Sequence, residues 1–116
     1  MPDVMHRVLI AEDEDLIALV LGEMLSDLGH RVVAVAERVE EGVELARDAD
    51  IDLAILDINL DGGLSMPIAD VLTARGIPYI FATGGTVRLE APYASHFVLR
   101  KPFTQAALRA ALETTP

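Results

Sequence analysis

The sequence predicts an α/β fold, a doubly wound parallel sheet of five strands with helices on both faces, and three observations carry that expectation. Short, continuously apolar runs alternate with segments of helical period along the 116 residues. The apolar runs, typified by Val8-Leu9-Ile10-Ala11, lack the polar alternation of a half-exposed strand, so both of their faces are expected to be covered. No repeat, low-complexity tract or Pro/Gly/Ser linker divides the chain, so one domain spanning 1–116 is expected.

Arg7 to Ala11 is the first strand. After it, Ile17, Val20, Leu21, Met24 and Leu28 recur at helical spacing, and Gly29 supplies the stop. Arg31 to Ala36 reads as a second buried strand, and Val39, Val43 and Ala46 mark one face of the second helix. Ile51 to Leu56 is the third strand, followed by a loop from Asp57 to Gly63. Ser65 and Pro67 open a third helix that carries Ile68, Ala69 and Leu72 and stops at Gly76. Pro78 to Ala82 and Phe97 to Arg100 are the fourth and fifth strands. Between them the stretch 84–95 begins with two glycines and contains Pro92, so a fourth helix there is expected to be short or mobile. The last helix runs from about Gln105 to Glu113, with Thr104 as its cap and Phe103 and Leu108 as a hydrophobic staple.

Composition excludes several classes of function. Hydrophobic residues make up 52% of the chain, ample for one core. The net charge of -10 argues against nucleic acid as a direct partner, because a phosphate backbone attracts basic surfaces. There is no cysteine, hence no disulfide framework and no thiolate chemistry. The first ten residues lack the pattern of a signal peptide, and no apolar run is long enough to cross a bilayer, so a cytoplasmic protein without membrane contact is expected.

In an open parallel sheet, ligands bind outside the carboxyl ends of the strands. The residues at those ends are Glu12 and Asp13, Asp57, Thr83 and Lys101. Singly each has a dull explanation: Asp13 or Asp15 as a helix cap, Asp57 as a turn former, Thr83 as the cap of a short helix, Lys101 as a solvated charge. Coincidence at four strand ends is a poor account of all five. Gathered carboxylates repel, and a hard divalent cation relieves them; Mg2+, which takes carboxylate and phosphate oxygens, suits this set.

These residues resemble the response-regulator receiver family. The pieces that carry the resemblance are VLIAEDE with Glu12 and Asp13, AILDINL with Asp57, IFATGG with Thr83, and VLRKPF with Lys101 and Pro102; in order, they cover the whole chain. The segment from Pro78 to Gly85 is also similar to the Phe-Ala-Thr-Gly "FAT GUY" subgroup of single-domain receivers. The resemblance implies a bacterial two-component protein with a flavodoxin-like (βα)5 fold and strand order 2-1-3-4-5. It implies transfer of a phosphoryl group from a histidine kinase or phosphotransfer protein to Asp57, making the chain a phosphoacceptor rather than an enzyme. Asp13, Asp57 and the backbone carbonyl of Asn59 would hold Mg2+, and Glu12 a metal-bound water. Lys101 would pair with Asp57 at rest and with the phosphoryl group afterwards, Thr83 would bond another phosphoryl oxygen, and the Lys101-Pro102 bond would be cis.

Where relatives place an aromatic switch residue, three positions before the lysine, this chain has Val98; Phe97 lies one earlier and should face the other way. The implied output face therefore includes Val98, Phe97, Gly84, Gly85 and Pro102, and an order change over Val87 to Ser95 is expected to replace the aromatic switch in signalling to a downstream protein. The competing readings are a phosphorylation-independent pseudo-receiver, a receiver fragment of a larger regulator, and a small aspartyl-nucleophile phosphatase. The phosphatase would need Asp-x-Asp where this chain has Asp57-Ile58-Asn59. A nucleotide-binding domain of the same fold is disfavoured because no glycine-rich loop follows the first strand.

Overall fold

Strand positions follow the apolar runs, and two of the helices stop at glycines. The computed structural model describes residues 5–85, 89, 92–93 and 98–114. In chain order the elements are β1 (Arg7–Ala11), α1 (Asp15–Asp27), β2 (Arg31–Ala36), α2 (Val39–Asp48), β3 (Leu53–Asp57), β4 (Asn59–Leu60), β5 (Gly63–Leu64), α3 (Met66–Ala74), β6 (Tyr79–Thr83), β7 (Val98–Arg100) and α4 (Gln105–Thr114). The main sheet is parallel throughout, in the order β2-β1-β3-β6-β7, which is the expected 2-1-3-4-5 of its five strands.

Each inner strand feeds two cores by alternation. Leu9, Ala11, Ala54, Leu56 and Phe81 meet Ala46 of α2 and Ile68 and Leu72 of α3. Val8, Ile10, Leu53, Ile55 and Ile80 meet Leu21 and Leu25 of α1 and Leu108 and Ala111 of α4. Helices α2 and α3 approach closely because Gly42 leaves room for the fully buried Ile68, whose side chain a Cβ at residue 42 would strike. Gly29 and Gly76 adopt φ of 90° and 72° just past α1 and α3, the left-handed region in which glycine ends helices. The Thr104 hydroxyl accepts from the Ala107 N–H at 3.1 Å, and Phe103 and Leu108 share a core, as the cap and staple require.

Three local expectations are corrected. Strand β2 is not buried: it is a sheet edge, with Val33 and Val35 39% and 41% exposed, and a bulge opposite Val8/Leu9 breaks its regular pairing. On α1 the buried residues are Leu21 and Leu25, with Met24 and Leu28 packed partly buried beside them as expected, whereas Val20 is exposed with Leu16 and Leu19. The expected loop from Asp57 begins one residue later, since Asp57 ends β3, and it contains the antiparallel pair β4–β5. That pair is tied to the start of α2: Val39 N–H donates to the Asp61 carbonyl at 3.2 Å and the Arg38 guanidinium to Asp61 Oδ2 at 3.0 Å. Phe97 and most of the stretch assigned a short or mobile fourth helix lie outside the described residues. Among the described residues, no helix is long and apolar enough to cross a membrane.

Candidate metal centre at the carboxyl rim of the sheet

Strand register decides what reaches this rim. Glu12 follows β1 and its N–H donates to the Ala36 carbonyl at 2.9 Å, so the chain stays pinned to β2 one residue past the strand. Asp57 is the last residue of β3 and lies opposite Ala82 of β6; Thr83 is the last residue of β6. Lys101 follows β7, with its N–H on the Thr83 carbonyl at 2.8 Å and a cis bond to Pro102.

The Lys101 ammonium donates to Asp57 Oδ2 at 2.8 Å and also to Glu12 Oε1. Glu12 Oε2 accepts the Glu14 N–H at 3.1 Å, and Asp57 Oδ1 faces the Asn59 N–H at 3.4 Å. Glu12 and Asp57 are 2% and 8% exposed, while Asp13 is exposed. Helix capping does not account for Asp13 or Asp15, since Glu14 takes the N-cap position without a side-chain cap.

One ammonium thus sits between two buried carboxylates, which leaves an unbalanced negative charge. Burial pushes the Glu12 carboxyl above its usual range, against the pull of Lys101, and the charge of Asp57 adds to the rise. Burial works the other way on Lys101, but its bonds to Asp57 and Glu12 outweigh it and hold the ammonium above its usual range. Asp13 brings a third acid: one carboxylate oxygen from each of Glu12, Asp13 and Asp57 lies within 4.8 Å of the others. Oxygen donors at this spacing, carrying more negative charge than Lys101 can neutralise, fit a hard divalent cation such as Mg2+.

Thr83 is 4% exposed, and its hydroxyl oxygen accepts the Gly85 N–H at 3.2 Å, which leaves the hydroxyl proton available to a further acceptor. Gly84, Gly85, Pro102 and Asn59 are exposed around the rim. Val98 is half-buried on the α2–α3 side of the sheet and Leu99 buried on the other, in keeping with strand alternation.

The family model of the response regulator receiver domain matches residues 8–113. The chain belongs to that family. Among its relatives, the phyllosphere-induced regulator PhyR of Methylorubrum extorquens is 34% identical over 95% of this chain. The chain spans about half the length of the curated relatives it matches, 43% in the case of PhyR. The solution structure of SdrG from Sphingomonas melonis Fr1 is 39% identical, covers 97% of both chains, and superimposes with a TM-score of 0.85. The BeF3-activated conformation of SdrG from Pseudomonas melonis Fr1 is 40% identical over 92% of both chains, with a TM-score of 0.79.

Within this receiver domain, sequence reasoning located the rim residues but missed some of their partners. It paired Lys101 with Asp57 and assigned Glu12 to a metal-bound water; the Glu12–Lys101 ion pair spans 89 residues of chain and has no local signature. The tie from Asp61 to Arg38 and Val39, which anchors the hairpin that follows Asp57, was not read either. A third missed group is Tyr93, whose hydroxyl reaches Asp70 and whose ring meets Phe81.

Proposed function

We propose that this receiver domain accepts a phosphoryl group onto Asp57 from the phosphohistidine of a histidine kinase or phosphotransfer protein, and that the modified form binds a downstream protein with altered affinity. The observation that carries the reading is the Asp57 carboxylate itself: nearly buried at the rim, held through Oδ2 by Lys101, and beside a second and third acid. In the transfer an Asp57 oxygen forms the new O–P bond while the P–N bond of the donor breaks, its electron pair returning to the imidazole nitrogen. Such a step is mostly positioning and charge stabilisation.

Lys101 stays near Asp57 and takes a phosphoryl oxygen, and Thr83 donates its hydroxyl proton to another. Asp13, Asp57 and the Asn59 carbonyl would hold Mg2+, with Glu12 reaching it through water; when bound, the ion neutralises the charge of the phosphoryl oxygens. The BeF3-activated form of the SdrG relative supports this chemistry, because beryllofluoride on a carboxylate imitates an acyl phosphate. On this reading the chain is a cytoplasmic phosphoacceptor, not an enzyme with a separate substrate.

A docking surface for the donor lies next to the rim. An apolar groove of about 460 Å3 runs between Leu16, Val20 and Met24 of α1 and Pro102 and Phe103, with Lys101 and Gly84 at its edge. Leu16 and Val20 on its wall are 72% and 41% exposed, apolar surface of the kind that marks contact with another protein.

The test is direct. Incubation of the wild type and of Asp57→Asn with Mg2+ and a small acyl-phosphate donor, followed by intact mass measurement, should give a single phosphoryl adduct on the wild type and none on the variant. Bound metal with no adduct on either protein would sink the reading and favour a phosphorylation-independent binding module.

A further inference from the structure

We propose that Tyr93 is a positioning residue for the resting state of this site, holding the connection between β6 and β7 to α3 through its hydroxyl on Asp70 and its ring on Phe81. The inference rests on the phosphoacceptor reading above and adds to it a named contact that phosphorylation must work against.

Phe81 is fully buried and stands two residues before Thr83 on β6. Its register partner on β7 is Val98, a short side chain that is itself half-buried. An aromatic contact to Phe81 comes from the connection between the two strands. The Tyr93 ring meets Phe81 edge-on, with centroids 6.2 Å apart and planes at 79°, and Tyr79 meets Phe81 from another side at 5.3 Å and 77°. The Tyr93 hydroxyl then donates to Asp70 Oδ1 of α3 at 2.5 Å, a charge-assisted bond. That bond keeps the phenol a neutral donor far above physiological pH, pushed up to about 12.

Two described residues of the connection are therefore tied. At its start, the Gly85 N–H is held by the Thr83 hydroxyl oxygen; further along, Tyr93 is held by Asp70 and Phe81. A phosphoryl group on Asp57 recruits the Thr83 hydroxyl and so pulls at the first tie, while the second anchors the same connection to Asp70 of α3. A contact stronger in the resting form lowers affinity for whatever favours the other form, and by linkage its removal raises that affinity.

The probe is beryllofluoride with Mg2+, titrated into the full chain while amide and tyrosine ring resonances are followed. Tyr93→Phe keeps the ring on Phe81 and deletes only the hydroxyl; Asp70→Asn, at an exposed position, weakens the same bond from its other side. Each variant should bind beryllofluoride about fivefold more tightly than the wild type, and the double variant no more tightly than either single one. On saturation of the wild type, the Tyr93 ring signals should leave the shielding of Phe81. Affinities unchanged within about twofold in both variants, or fully additive effects in the double variant, would overturn the role of Tyr93 while leaving the acceptor intact. Failure of wild type and variants alike to bind beryllofluoride, with Mg2+ still bound, would instead remove the acceptor reading and this inference with it.

Discussion

Two ends of one sheet carry a similar set of charges and use them differently. At the carboxyl rim, Lys101 lies between Glu12 and Asp57; at the opposite rim, Arg7 lies between Asp50 and Asp52. The Arg7 fork donates to both Asp52 oxygens, Nε to Oδ2 at 3.1 Å and Nη2 to Oδ1 at 2.8 Å, and the Arg7 N–H adds a third bond at 2.8 Å. Those bonds pull the Asp52 carboxyl down to about 2, and solvent reaches both partners, whose side chains are 38% and 31% exposed. At the carboxyl rim the acid moves the other way: Glu12 is raised by burial, because one point-charge ammonium must serve two carboxylates with little water to help. Composition is shared; burial and donor geometry decide that one cluster is a staple joining β1 to the start of β3 and the other a site still in want of positive charge.

The largest expected effect tests that difference at the buried end. Lys101→Met leaves Glu12 and Asp57 without their cation and should cost about 3 kcal/mol of stability at neutral pH, read from urea unfolding. The deficit should shrink as the pH falls, since a buried Glu12 with a raised pKa takes up its proton early. A loss no larger than that of an exposed charge would break the comparison. Next in size is Glu12→Gln, which removes the surplus charge yet keeps an acceptor for Lys101. It should weaken Mg2+ binding about tenfold by calorimetric titration while changing stability by less than about 1 kcal/mol.

The smallest effect belongs to the exposed staple. Asp52→Asn should lower the urea midpoint slightly at neutral pH and leave Mg2+ binding unaltered. The folded Asp52 carboxyl is depressed from 3.8 to about 2, so its contribution is fully present above pH 3.8 and is lost as the pH falls through 2. The variant should therefore match the wild type in acid and fall behind it only above that window. A wild-type stability profile flat across the window would show that the Arg7–Asp52 contact contributes nothing.

Much of the fold was legible because its signals are local. Four- and five-residue apolar runs marked the inner strands, Gly29 and Gly76 ended their helices, and Thr104 capped the last one. Once strands were placed, the rim followed, since a parallel sheet brings every strand's carboxyl end to the same edge; Glu12, Asp13, Asp57, Thr83 and Lys101 all lie there. The misreadings concern exposure and pairing. Strand β2 is as apolar after its first residue as an inner strand, and only its place at the edge of the sheet leaves Val33 and Val35 in solvent. Val20 falls at helical spacing along α1, yet it is exposed while Leu25 is fully buried in the core.

The sequence by itself determined which side chains arrive at the carboxyl rim and that acids outnumber bases there, because strand ends are set by local apolar runs and charge is a matter of composition. Tertiary structure alone decided that Lys101 divides its charge between Glu12 and Asp57, and that the Tyr93 ring meets Phe81 edge-on. Those partners are separated by tens of residues along the chain, and no local periodicity encodes a meeting that strand order, register and the path of a connecting segment bring about together.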